Sequence, residues 1–245
     1  MERRLSRIAC ALVLGGAGLA AQAQESSPPS PAPAHSSVTP FARGEVLNYN
    51  VSWPSGLSLG EARFAVGTAE PGWDFEFHLE ASMPALAIRD EYRASADAQF
   101  CAVKLEKDVA HGARKTKETV RYNRSKHVAE RQTDSGGKSE VSVPDCVKDG
   151  LTFLYLLRRE LANGRVAAGQ TINFGAPYQI TATYTDSPKI EIGGEPQQTD
   201  RLQISLRGPA SSHTFEVFVG RDAARTPLLI RVPFSLGTFA LELAR

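Results

Sequence analysis

Trp73-Asp74-Phe75-Glu76-Phe77-His78-Leu79-Glu80 places four large apolar side chains on one parity and four polar ones on the other. A period of two belongs to a β-strand with one face buried and one face wet. The same alternation runs through Leu47, Tyr49, Val51 and Trp53, and through Ala62, Phe64 and Val66. It returns in Tyr178, Ile180, Ala182 and Tyr184, in Leu202, Ile204 and Leu206, and in Phe215, Val217 and Val219. Leu228, Ile230, Val232 and Phe234, then Phe239, Leu241 and Leu243, close the series. Turn-forming clusters such as Pro54-Ser55-Gly56, Pro71-Gly72, Gly136-Gly137 and Gly193-Gly194 separate these runs, and connections this short join antiparallel neighbours. One segment has a helical period instead: Asp149 as N-cap, a stripe of Leu151, Leu154, Leu157 or Arg158, and Leu161, and Gly164 as the stop. The predicted fold is mainly β, a curved antiparallel sheet or partly closed β-barrel with one packed α-helix.

The strands lie in residues 41–245, read as a single β-rich domain. Ahead of them, residues 24–40 are rich in Ser, Pro and Ala, with Val38 as the one large apolar side chain. Such a stretch buries too little surface to offset its ordering entropy, and it reads as a disordered tether. Residues 1–23 carry Arg3, Arg4 and Arg7, an apolar run over residues 8–20, and Ala21-Gln22-Ala23. That is the plan of a secretory signal peptide cleaved near Ala23, and its apolar run is too short for a membrane span. Cys10 falls within the removed segment. The expected localisation is the periplasm or the exterior, with no transmembrane segment in the mature chain.

Removing residues 1–23 leaves a chain within one charge of neutral and two cysteines, Cys101 and Cys146. Near-neutral charge gives no broad basic field, so nucleic acid is not an expected partner. In an oxidising compartment an even pair is expected to be bridged, closing a loop of 46 residues with both cysteines counted. The pair lacks CxxC spacing, so the bridge is read as structural.

Candidate chemistry is sparse. Gly56-Leu57-Ser58-Leu59-Gly60 matches G-x-S-x-G by letter, but that motif sets its serine on a strand-to-helix turn. Here Ser58 lies between two alternating segments, and the glycines suit a β-turn. Ser135-Gly136-Gly137-Lys138 matches S-x-x-K, yet two glycines point to a hairpin tip rather than to the helix that pairing needs. The five histidines, His35, His78, His111, His127 and His213, are never within four residues of each other. His78 shares its face with Asp74, Glu76 and Glu80, which reads as a solvated acidic face. No catalytic residue, metal ligand or cofactor is predicted.

Two surfaces are candidates for binding. Residues 104–131 carry an excess of basic side chains, and Lys115, Lys117 and Arg121 share one strand face. They suit an anionic partner, or else an exposed hairpin kept soluble by its charge. Tyr49, Trp53, Phe64, Trp73, Phe75 and Phe77 supply most of the inward aromatic surface of the first strands. Such residues fill a core, or line a cavity where a curved sheet encloses more apolar face than it fills.

Phe41-Ala-Arg-Gly44-Glu45-Val-Leu47-Asn-Tyr49-Asn-Val51-Ser-Trp53, with Gly56-Leu57 and Gly60-Glu-Ala62, resembles the opening of the exported bacterial family called domain of unknown function 3108. Leu151, Tyr155, Leu156 and Arg158 before Gly164 look like that family's single helix. Phe215-Glu-Val-Phe-Val219 with Asp222, Arg225, Pro227, Leu228 and Gly237 looks like its closing hairpin. The resemblance implies a periplasmic protein of a Gram-negative-type bacterium, with a curved sheet similar to the half-barrel of periplasmic lipoprotein carriers and sorting factors. It implies no activity. The expected function is non-enzymatic binding of a lipid or lipoprotein ligand, or of an envelope protein, on a curved sheet. The alternatives are an envelope hydrolase acting on glycan or ester bonds through Ser58 or Glu76, and a structural module using the basic hairpin.

Overall fold

A computed structural model describes residues 38–245 except residues 54, 69, 84, 85, 210, 235 and 236. The signal segment, Cys10, His35 and the tether up to residue 37 lie outside the described residues. Eight strands precede the helix: β1 (Val46–Ser52), β2 (Ser58–Val66), β3 (Trp73–Met83), β4 (Leu86–Ala96), β5 (Ala102–His111), β6 (Arg114–Asn123), β7 (Val128–Thr133) and β8 (Lys138–Ser142). After α1 (Gly150–Ala162) come β9 (Gln170–Asn173), β10 (Pro177–Asp186), β11 (Lys189–Ile192), β12 (Glu195–Arg207), β13 (Ser212–Gly220), β14 (Pro227–Phe234) and β15 (Gly237–Leu243).

The fold is the antiparallel one that the alternation predicts. The strand order is β8-β7-β6-β5-β4-β3-β2-β1-β15-β14-β13-β12-β10-β9, with β11 attached to β12 alone. From β1 at the middle of the sheet the strands wind outward to β8, cross to the opposite edge at β9, and wind back until β15 lies beside β1. Tyr49 then faces Leu243, and Val51 faces Leu241.

The sheet is not closed by a strand ladder, but its edges are drawn together. Val147 accepts from the amide of Ala102 at 2.8 Å, and Lys148 accepts from the amide of Asn173 at 2.8 Å. Lys148 and Ile172 form a short parallel bridge. This strap joins the start of β5 to β9. Beside it Cys101 and Cys146 form a disulfide with Cα atoms 4.4 Å apart.

Asp149 follows the strap at once and caps α1, accepting from the Thr152 amide at 2.9 Å and the Thr152 hydroxyl at 2.7 Å. At the other end Gly164 takes φ +73°. The Gly164 amide donates to Leu161 and the Arg165 amide to Glu160, so the last carbonyls are satisfied in a Schellman turn. The helix buries Leu151, Phe153, Tyr155, Leu156, Leu157, Arg158 and Leu161. That is wider than the single stripe expected, because α1 lies inside one end of the curl and meets protein on several sides. Tyr155 stacks on Phe75 with centroids 4.1 Å apart and meets the edge of Phe41 at 4.9 Å.

Two further features differ from the sequence expectation. Residues 104–131 do not form a separate exposed hairpin: β5, β6 and β7 are integral to the sheet, and half of their side chains face inward. Phe218 points outward, as the alternation places it, but that face is not wet: it packs with Ile192 and Leu229, and with Leu228, which was expected inward, in a second small core under β11. Its signals are the unbroken runs Val217-Phe218-Val219 and Leu228-Leu229-Ile230, which mark strands covered on both faces.

Candidate functional site

The inner face of the sheet is covered unevenly. Toward the end that α1 fills, Phe75, Ala94, Ala96, Leu105 and Val120 are buried. Toward the other end, the mouth, Val109 on β5 is buried, but many inward residues are only half-buried. They include Leu79, Ala81 and Met83 on β3, Val232 on β14, and Phe239 and Leu241 on β15, all packed against the main core.

Aromatic rings run across this face from strand to strand. Trp53 meets Phe239 edge-on at 4.8 Å. Phe64 and Phe77 are 4.6 Å apart, and Phe77 and Tyr92 are 6.0 Å apart. Tyr92 then stacks on Phe174, just past β9, at 6.3 Å with planes 11° apart. Since β4 and β9 are far apart in the strand order, this contact spans the interior and shows how strongly the sheet is curled.

The six aromatic candidates fall into two groups. Tyr49, Phe64 and Phe75 are 1%, 7% and 0% exposed, which makes them packing residues. Tyr49 also donates from its hydroxyl to the Pro227 carbonyl at 2.7 Å, and burial raises its pKa. Trp73 is half-buried at the helix end, under the Arg43 guanidinium at 4.6 Å. Trp53 and Phe77 are the two that retain surface on the open part of the inner face.

Lys115, Lys117 and Arg121 lie together on the outer face of β6, all exposed. Acidic groups interleave with them: Lys117 is 3.7 Å from Asp108, and Arg121 stands opposite Glu130. The field of this patch is therefore weaker than its count of basic residues suggests. Ser58 is exposed on β2 and lies opposite Ser52. Glu76 and Glu80 are on the outer face of β3, near Arg63 and Arg93 and near His78 respectively. Among the described residues no group of three or more His, Cys, Asp or Glu is placed to hold a metal ion. No described helix is long and apolar enough to cross a membrane.

A polar group on the inner face was not singled out from sequence. Lys107, Glu118 and Arg131 meet there, with Glu118 5% exposed, bound to Arg131 through Nε at 2.7 Å, and 3.7 Å from Lys107. Their signal was parity. Lys107 shares a face with Leu105 and Val109, and Glu118 shares one with Val120, so both belong with the inward set. Tyr122, on the same face, has a buried hydroxyl with no partner among the described residues, and burial raises its pKa.

The fold is similar to that of a solved β-barrel-like protein of domain of unknown function DUF1849 from Brucella abortus. The alignment covers 82% of this chain and 95% of that one, with TM-score 0.59 and 8% identity, a likeness of fold alone. A candidate lipoprotein from Parabacteroides distasonis is also similar, at 9% identity over 83% of this chain and 96% of that one, with TM-score 0.31. Curated proteins give no significant match. The family model described as protein of unknown function DUF3108 matches residues 48–244, and the chain therefore belongs to that family.

Proposed function

We propose that this protein is an exported, non-enzymatic binding protein whose inner sheet face takes a hydrophobic ligand or the acyl part of an envelope client. In this reading residues 1–23 direct export, residues 24–40 are a tether, and residues 41–245 are the single binding domain. The observation that carries it is the set of half-buried Trp53, Phe77, Leu79, Met83, Phe215 and Phe239 on a curled face whose helix fills only the other end. Contiguous apolar surface of this kind is kept where something binds. The Cys101–Cys146 bridge supports the exported compartment.

The test uses the neutral dye N-phenylnaphthylamine, whose fluorescence rises in apolar surroundings. Saturable binding is expected, and Trp53→Ser and Phe77→Ser each weaken it about tenfold, since ~60 Å² of lost apolar contact is worth ~1.5 kcal/mol. Near-UV circular dichroism identifies variants that keep the fold. Absence of saturable binding, or unchanged affinity in both folded variants, refutes the reading.

A further inference from the structure

The rim of the mouth divides by charge. Residues 46–60, 81–88 and 232–241 contain no Asp, Glu, Lys, Arg or His. In the fold they belong to three hairpins, β1–β2, β3–β4 and β14–β15, whose strands are consecutive in the order β4-β3-β2-β1-β15-β14. The three hairpin ends therefore stand side by side along ~24 Å of rim, at strand spacings of ~4.8 Å. Elsewhere the rim is charged: the β5–β6 turn lies between His111 and Arg114, and the β7–β8 turn contains Asp134 and leads into Lys138. At the helix end the loops carry Arg43, Glu70, Asp97, Arg124, Asp145 and Asp222.

The charge-free zone has a definite depth. Glu61, Glu80 and Arg89 stand in one cross-strand line, and Glu80 and Arg89 are three residues from the last pair of their hairpin, Met83 and Leu86. Arg231 on β14 is likewise three residues from the last pair of its hairpin, Phe234 and Gly237. At ~3.3 Å per residue this is ~10 Å. Within that depth Leu57 is 61% exposed, and Trp53, Met83, Leu86 and Phe239 are half-buried. Backbone pairing continues to the ends, since the ladders reach Met83–Leu86 and Phe234–Gly237. In the β1–β2 turn the Trp53 amide donates to the Leu57 carbonyl at 2.9 Å, and the Gly56 amide to the Trp53 carbonyl at 2.8 Å.

These features suit a lipid bilayer better than a protein partner. A protein interface is bordered by charged and hydrogen-bonding side chains, whereas the acyl layer admits a surface without charge whose backbone is already paired. Groups seated where headgroups meet acyl chains reach ~5–10 Å deep, a level at which tryptophan is favoured. The charges at the foot of the zone, Glu61, Glu80, Arg89 and Arg231, are of both signs and match a zwitterionic headgroup layer.

We propose that this part of the rim docks on a zwitterionic bilayer, with Trp53, Leu57 and Leu86 at the acyl boundary and the mouth facing lipid. The docking stands whether or not the inner face holds a ligand.

The test is flotation of the purified protein, expressed from its full sequence, with phosphatidylcholine vesicles at low and high salt, and with phosphatidylglycerol added. Flotation with phosphatidylcholine alone is expected, unchanged by salt or by phosphatidylglycerol. Leu57→Asp and Leu86→Asp should each lower the partition coefficient about tenfold. Val103→Asp should leave it unchanged, because Val103 is 50% exposed at the start of β5, toward the helix end. The chain has two tryptophans, so Trp73→Phe isolates Trp53, whose fluorescence brominated phosphatidylcholine should quench. Near-UV circular dichroism identifies the variants that keep the fold. Absence of flotation, or an unquenched Trp53, overturns the proposal. So does flotation that survives in both folded aspartate variants, which assigns membrane binding to another part of the chain. Binding that needs phosphatidylglycerol and is lost at high salt assigns it to a charged surface instead, and also overturns it. A protein that takes up N-phenylnaphthylamine and does not float keeps the binding reading above and loses this one. Salt dependence and quenching decide the matter even if the aspartate variants do not fold.

Discussion

Arg158 sits on α1 among apolar neighbours with 1% of its side chain exposed. Its guanidinium binds both carboxylate oxygens of Glu45, at 2.5 and 2.9 Å, and the carbonyls of Ala224 and Arg225. It also lies over the rings of Phe41 and Tyr155. One side chain therefore ties the helix to the entry of β1 and to the β13–β14 loop. Arg158→Met leaves Glu45 and two carbonyls without their donor, and urea unfolding should show a loss of about 3–5 kcal/mol. Replacing Glu45 by Met as well removes the stranded charge, so the double variant should be more stable than the single one. A double variant at least as unstable as Arg158→Met would contradict this account. At this scale the sequence was readable in part. The spacing admitted either Leu157 or Arg158 on the helix stripe, and both prove buried, but nothing local named Glu45, 113 residues away, as the partner. Lys107 and Glu118 were counted among exposed charges, whereas their parity with Leu105, Val109 and Val120 turns them inward.

At the scale of elements, the run from Cys146 to Thr152 concentrates three functions in a few residues. The disulfide fastens Cys146 to the start of β5, Val147 and Lys148 strap β5 to β9, and Asp149 caps α1. Lys148 adds a bond from Nζ to the Cys146 carbonyl at 2.7 Å, and burial lowers its pKa. Removing the bridge with Cys101→Ser and Cys146→Ser should cost about 3–5 kcal/mol by the chain-entropy model. The loss should have a local signature too: the amides of Thr152 and Asn173 lose hydrogen-exchange protection before those of β1 and β2. Uniform loss across all strands would mean that the strap is no separate unit. The helix bounds were legible because an aspartate cap and a stop glycine are local chemistry. The strap was not, since its bonds run to backbone far along the chain.

Over the whole molecule, the first and last strands lie side by side at the centre of the sheet, so β1, β2 and β15 have neighbours on both sides while β8 and β9 are edges. Hydrogen exchange should follow this order, slowest in β1, β2 and β15 and fastest in β8, a five-residue edge strand with Val141 as its one apolar side chain. Protection of β8 equal to that of β1 would reveal a pairing that the strand order lacks. The sequence by itself determined the mainly β class, the strands spelled out by alternating apolar residues and most of their inward set, the single helix and its caps, and the cysteines available for a bridge. Each of these is written in spacings of two or three to four residues, or in residue chemistry that acts on near neighbours. Only the tertiary structure decided that β15 closes against β1, that the helix enters one end of the curl and leaves the other half-covered, and that Lys107 comes to stand across from Tyr92 and Glu118. Those outcomes depend on curvature and on contacts between residues distant in sequence, for which a local periodicity carries no record.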